Sequence, residues 1–234
     1  MPRAKSSDFS SFCGTGHPAG PSGWGSGASA GAPASHPDTR RPDYNVRVTA
    51  LPDGYPIELE RKITLRDGSV VSIRPIRPDD AARLQELHGR LSRDTAYQRF
   101  FAIVKRLPPD WARVLATVDY RRRLALVVEA PAGAGPELIA VGRYDAVGEP
   151  DIAEVAFVVQ DSWQNRGLGT ILFDEILRAA AARSYRRFRA FVLADNRRML
   201  DLITRFTRVE SRTSEHGVTE LVFGLLPERV GVSA

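Results

Sequence analysis

The densest chemistry in this 234-residue chain lies in one run, EVAFVVQDSWQNRGLGT, from Glu154 to Thr170. Its first half reads as a strand that is apolar except for Glu154. Its second half sets Gly167 and Gly169 directly before a helical pattern. A helix start presents amides with no intrahelical acceptor and the positive end of the helix dipole. Glycines let that backbone approach an anion with no β-carbon in the way. Gln164, Asn165, Arg166, Gly167, Leu168, Gly169 and Thr170 therefore have the composition of a pyrophosphate cradle. No Gly-Lys-Ser/Thr follows, which separates the segment from a Walker loop, and the first glycine of the dinucleotide fingerprint has no counterpart.

Glu154 is the candidate for proton transfer. A carboxyl in an apolar strand loses solvation, which raises its pKa towards the range of a general base. Alternation places it on one strand face with Ala156 and Val158. The other reading is a carboxylate paired with a nearby arginine. Arg166 also has two readings, a charge-assisted contact to a bound anion or a surface arginine beside a turn. Trp163 reads as an apolar plug fixing the helix entry. His88, in an amphipathic helix, and His216, in a polar turn, read as surface residues and are left out of catalysis.

The elements that position these residues are legible on either side. ELERKITL and VVSIRPI flank Arg66, Asp67, Gly68 and Ser69, the signature of a tight hairpin. Pro78, Asp79 and Asp80 open a helix ending near Leu91, Ser92 caps a second through Phe101, and Pro108 and Pro109 start a third over Trp111 to Val118. Arg123 to Glu129 and Glu137 to Tyr144 read as an antiparallel hairpin, and Ile152 to Val159 as the next strand. A helix with Leu168, Ile171, Leu172, Ile176 and Ala179 on one side leads to a strand from Arg187 to Leu193. A helix from Asn196 to Phe206 and a strand pair ending at Val218 to Leu225 close the order.

Composition excludes several classes. The hydrophobic fraction of 43% and charged fraction of 26% fit a globular chain. The single cysteine, Cys13, rules out an internal disulfide framework and a cysteine zinc cluster, so a reducing cytoplasm is the expected location. No spanning apolar run or secretory core is present, so neither membrane nor export is expected. The net charge of +5 raises nucleic-acid binding, but acidic residues intersperse the arginines and no stacking aromatics punctuate them. Residues 1–44, rich in Gly, Ser and Pro, read as a disordered tail and 45–58 as a linker. Residues 229–234 read as a C-terminal tail.

The pattern Gln164-x-x-Gly167-x-Gly169, between a strand and a helix, resembles the acyl-CoA-binding signature of the GNAT superfamily of N-acyltransferases. VSIRPIRPDDAARLQELHGRLSRDTAYQRFF and VDYRRRLALVVE are similar to the GNAT domains of bacterial protein lysine acetyltransferases. The resemblance implies an α/β (α+β) domain over 59–228, with a mixed, mostly antiparallel central sheet and helices on both faces. It implies that the strand before the turn splays from its neighbour and admits the pantetheine arm of acetyl-CoA. Main chain of Phe157, Val158 and Val159 would then hold thioester and pantetheine, amides from Gln164 to Thr170 the pyrophosphate, and Glu154 would deprotonate an amine. Asn196 would touch the cofactor arm or cap the following helix. Many members place a tyrosine just beyond as the acid for the thiolate, and here Arg197, Arg198, Met199 and Leu200 stand instead. No metal is expected. The implied acceptor is a protein lysine. The alternatives are a small amine as acceptor and a non-catalytic acyl-CoA sensor. Related proteins often carry a fused nucleotide-sensing or acyl-CoA-synthetase-like portion with no counterpart in these residues, which puts such regulation in doubt.

Overall fold

The computed structural model describes residues 50–133 and 135–226, so the tails expected at 1–44 and 229–234 lie outside the described residues. Strands β1 (Arg61–Thr64) and β2 (Val70–Pro75) pair antiparallel around the expected turn. Gly68 takes φ +83° there, and the Leu65 amide donates to the Ser69 carbonyl at 2.8 Å. Helix α1 (Ala81–Gly89) follows a 3-10 turn at Pro78–Asp80. Ser92 caps α2 (Arg93–Phe100), its hydroxyl accepting from the Thr95 amide at 3.1 Å, and Pro109 opens α3 (Pro109–Ala116).

The remaining elements are β3 (Arg123–Ala130), β4 (Glu137–Ala146), β5 (Ile152–Val159), α4 (Leu168–Ala181), β6 (Arg187–Leu193), α5 (Arg197–Phe206), β7 (Thr207–Glu215) and β8 (Val218–Leu225). The strands form one sheet in the order β1-β2-β3-β4-β5-β6-β8-β7. Every neighbouring pair is antiparallel except β5 and β6, which α4 connects by a crossover.

Helices cover both faces of the sheet, as the resemblance implied. Alternation along β3 feeds two cores. Leu124, Leu126 and Val128 join Leu172, Phe173 and Ile176 of α4, while Ala125 and Val127 join Leu84 and Leu87 of α1 and Ala112 of α3. Two expectations change. The stretch expected to be linker contributes Tyr55, whose ring meets Tyr120 edge-on at 5.5 Å and whose hydroxyl donates to Pro75. His88, expected at the surface, is only 6% exposed, with its ring 5.5 Å from that of Phe100 in α2.

Candidate functional site

Residues from β5, the turn after it and the starts of α4 and α5 converge where β5 and β6 part. Those two strands pair only over Ile152–Glu154 against Arg187–Arg189, whereas β5 stays paired with β4 along its length. The Gln160 amide donates to Ile139 at 2.8 Å, which fixes the phase of the β4–β5 ladder. In that phase Glu154, Ala156 and Val158 direct their main-chain groups to β4, and Val155, Phe157 and Val159 direct theirs towards β6. Beyond Glu154 the β6 side of β5 is therefore an open edge carrying Phe157 and Val159. Val158 differs from expectation, because its amide and carbonyl are committed to β4. The Val159 carbonyl accepts from Gln164 Nε2 at 3.0 Å, which leaves its amide for a ligand.

Side chains alternate the other way. Phe157 packs towards α4, with its ring 5.3 Å from Phe173. Gly142, its partner on β4, permits this approach, since a β-carbon there would lie 2.8 Å from Leu172 Cγ and 2.9 Å from Phe157 Cδ1. Glu154 faces the opposite side and sits across from Asp145. Burial, then the Asp145 carboxylate, push the Glu154 carboxyl above its ordinary value, against the pull of Arg99, Arg189 and Arg143. Nearby cations are already paired, Arg143 with Asp145 at 2.7 Å and Arg189 with Glu149 at 2.7 Å. Among the described residues the Glu154 carboxylate has no hydrogen-bond or ion-pair partner of its own.

At the other end of β5 the chain turns through Asn165 (φ +62°) and Gly167 (φ +86°) into α4. Gly167 is the N-cap, no side chain caps the helix, and the first backbone bond back to it comes from Ile171. The Leu168, Gly169 and Thr170 amides thus stand without intrahelical acceptors at the positive end of a 14-residue helix. Leu168 contributes its amide alone, because its side chain is buried in the core. Gly169 faces Val159, where an added β-carbon would be 4.0 Å from Val159 Cγ2.

Arg166 turns away from this cradle. Its guanidinium donates to Asp67 and to the Ser162 carbonyl, both at 2.8 Å, and lies over the Trp163 ring at 4.6 Å. It ties the turn to the β1–β2 hairpin and holds Trp163 against the helix entry. Asn196 caps α5 by accepting from the Met199 amide and also donates to Gln98 of α2 at 3.3 Å. Gln164 further bonds Thr95 of α2 and accepts from Arg198 of α5. Helix α2 is thus laced across the mouth of the open edge. Sequence reasoning missed Asp145, Gly142, Thr95 and Gln98. The β4–β5 register would have paired Asp145 with Glu154, and nothing local marks the others.

The acetyltransferase (GNAT) family pattern matches residues 93–207. An acetyltransferase of Pseudomonas aeruginosa is 30% identical over 139 residues, 59% of this chain and 75% of the relative. The chain belongs to the GNAT acetyltransferase family. The GNAT domain of S. lividans PAT matches with TM-score 0.66 and 36% identity, over 73% of this chain and 99% of that one. The acetyltransferase Pat of Mycolicibacterium smegmatis is 33% identical over 150 residues, 63% of this chain and 44% of its own length. A cAMP-binding acyltransferase from Mycobacterium smegmatis matches at TM-score 0.51 and 28% identity, over 74% of this chain and 50% of that chain. This GNAT chain is an acyltransferase, and it spans about half the length of the mycobacterial relatives it matches.

Proposed function

We propose that the protein transfers an acetyl group from acetyl-CoA to a primary amine on a protein lysine, with Glu154 as general base. The open edge of β5 carries this reading. Glu154 and the amide cradle lie at opposite ends of it, and the five steps of β5 from Glu154 to Val159 span about 17 Å of extended backbone at roughly 3.3 Å each. A long linear donor with a thioester at one end and phosphates at the other matches that spacing, paired to Phe157 and Val159 as an added strand.

In this scheme the cradle amides hold the pyrophosphate, and Phe157 and Val159 orient the arm so that the acyl carbon lies beside Glu154. Glu154 takes a proton from the ammonium, the amine nitrogen bonds to the acyl carbon, and the carbon–sulfur bond breaks. The thiolate leaves and is protonated through solvent, which also takes the second proton that the nitrogen gives up as the amide forms, consistent with a thiol pKa of about 8.5. Main-chain amides stabilise the oxyanion in between. The similarity to Pat and PAT proteins supports the lysine acceptor.

The test follows free thiol release from acetyl-CoA with a lysine-bearing protein panel, using wild type beside Glu154→Gln. The expected loss is about 10²–10⁴-fold in kcat with donor binding retained, the range for a general base. Donor binding without turnover on any acceptor would point to an acyl-CoA sensor, and turnover on small amines alone would reassign the acceptor.

A further inference from the structure

His88 is a buried imidazole for which the mechanism has no use. It is 6% exposed, and neither Nδ1 nor Nε2 has a hydrogen-bond partner in the protein. Leaving such a group unsatisfied costs about 1–3 kcal/mol, so a buried polar atom of this kind points at something that binds there. The ring borders a cavity of ≈ 40 Å³, walled by Leu87, Phe100, Leu115, Val141 and Val158. Val141 and Val158 face each other across β4 and β5 and fix where the cavity lies. It is on the Glu154 side of the sheet, its wall continuing to Arg143, which pairs with Ala156. Ala156 is two residues from Glu154 on the same strand face, and the Glu154 end of β5 is where the acyl carbon would sit.

We infer that this cavity is an acyl pocket, built for a donor whose chain extends beyond acetyl and ends in a hydroxyl hydrogen-bonded to His88. The inference rests on the acyl-transfer reading of the site. A water-sized group needs roughly 10–15 Å³ of such space, so the cavity holds about three non-hydrogen atoms. A 3-hydroxybutyryl chain adds that many to acetyl, two carbons and one oxygen. Burial pushes the His88 imidazole below its ordinary value, and Arg99 and Arg143 border the same cavity. Both disfavour the charged ring, and in the neutral form one nitrogen donates and the other accepts, so a hydroxyl pairs with whichever of them faces the cavity. An anionic chain fits less well, because Asp145 already occupies Arg143 and Glu154 lies on the same face.

The experiment measures kcat/KM for acetyl-, butyryl- and 3-hydroxybutyryl-CoA with one lysine acceptor, in wild type, Leu115→Phe and His88→Leu, with melting curves to check folding. Wild type is expected to use the hydroxyacyl donor at least as well as acetyl-CoA. Leu115→Phe fills the cavity and should lower the four-carbon donors about tenfold or more while sparing acetyl-CoA. His88→Leu should erase the preference for 3-hydroxybutyryl over butyryl, a change of about 5–100-fold for a lost buried hydrogen bond. The donor ranking of wild type tests the pocket even if a variant fails to fold. Turnover of acetyl-CoA alone would overturn the pocket and leave the acyl-transfer reading standing. An equal loss for every donor in Leu115→Phe would overturn it too, assigning the cavity to the acceptor. Turnover with none of the donors would defeat both readings.

Discussion

Replacing Gly167 with alanine tests whether the turn is the anion cradle. Gly167 sits at φ +86° and ψ −6°, a left-handed conformation that costs an L-residue roughly 1–2 kcal/mol. The new β-carbon would lie 3.3 Å from Arg66 Nε, a side-chain atom able to move, so the total stays about 1–2 kcal/mol. For a domain of this size each kcal/mol shifts Tm by roughly 2–4 °C, which gives a fall of about 2–8 °C. If the backbone instead rotates to relieve the strain, the Leu168 and Gly169 amides swing away from the ligand. A hydrogen bond to a charged group is worth about 1.5–3 kcal/mol, so losing one weakens CoA binding roughly 10–100-fold. Calorimetry with CoA and with S-acetylpantetheine, which lacks the pyrophosphate, separates the cases. Weakening confined to CoA supports the cradle. Equal weakening of both ligands, or unchanged melting and affinity, refutes the reasoning.

Three further outcomes follow from the same geometry. The folded-state pKa of Glu154 is raised, so its ionised form destabilises the native state above that pKa, and the penalty is relieved as pH falls through it. Melting curves should therefore show Glu154→Gln gaining Tm in mildly alkaline buffer and losing that gain in acid, while wild-type kcat falls as Glu154 protonates. Arg74 joins Asp80 and Glu129, each at 2.7 Å, with Asp80 only 2% exposed, so Arg74→Met should cost about 3–5 kcal/mol in urea denaturation. A loss well below that would mean Arg83, which also bonds both carboxylates, suffices alone. Gly142→Ala should cost about 1–3 kcal/mol by overpacking and raise the donor KM by displacing Phe157; an unchanged Tm would count against the close contact.

Much of the fold was legible because its signals are local. The Asp67-Gly68 turn, the Ser92 cap, the prolines before α1 and α3, and the strand–turn–helix at Glu154 to Thr170 each reflect interactions within a few residues. The same holds for Asn196, whose capping of α5 was one of its two expected roles. The β5–β6 crossover was also readable, since a strand, helix, strand order favours parallel pairing.

The sequence by itself determined which residues could bind an anion or move a proton, because residue type, periodicity and capping are properties of short segments. Tertiary structure alone decided how those residues are used. The parting of β5 from β6 at Glu154 exposes Phe157 and Val159 but not Val158, which depends on ladder phase. Arg166 is held by Asp67, 99 positions away, and the buried His88 packs against Phe100 of the helix that follows it in the chain. The electrostatic setting of Glu154 comes from Asp145, Arg99 and Arg189, brought together from three other elements. Such contacts arise from closing long stretches of chain, so no local pattern encodes them, and they become visible only when the sheet has assembled.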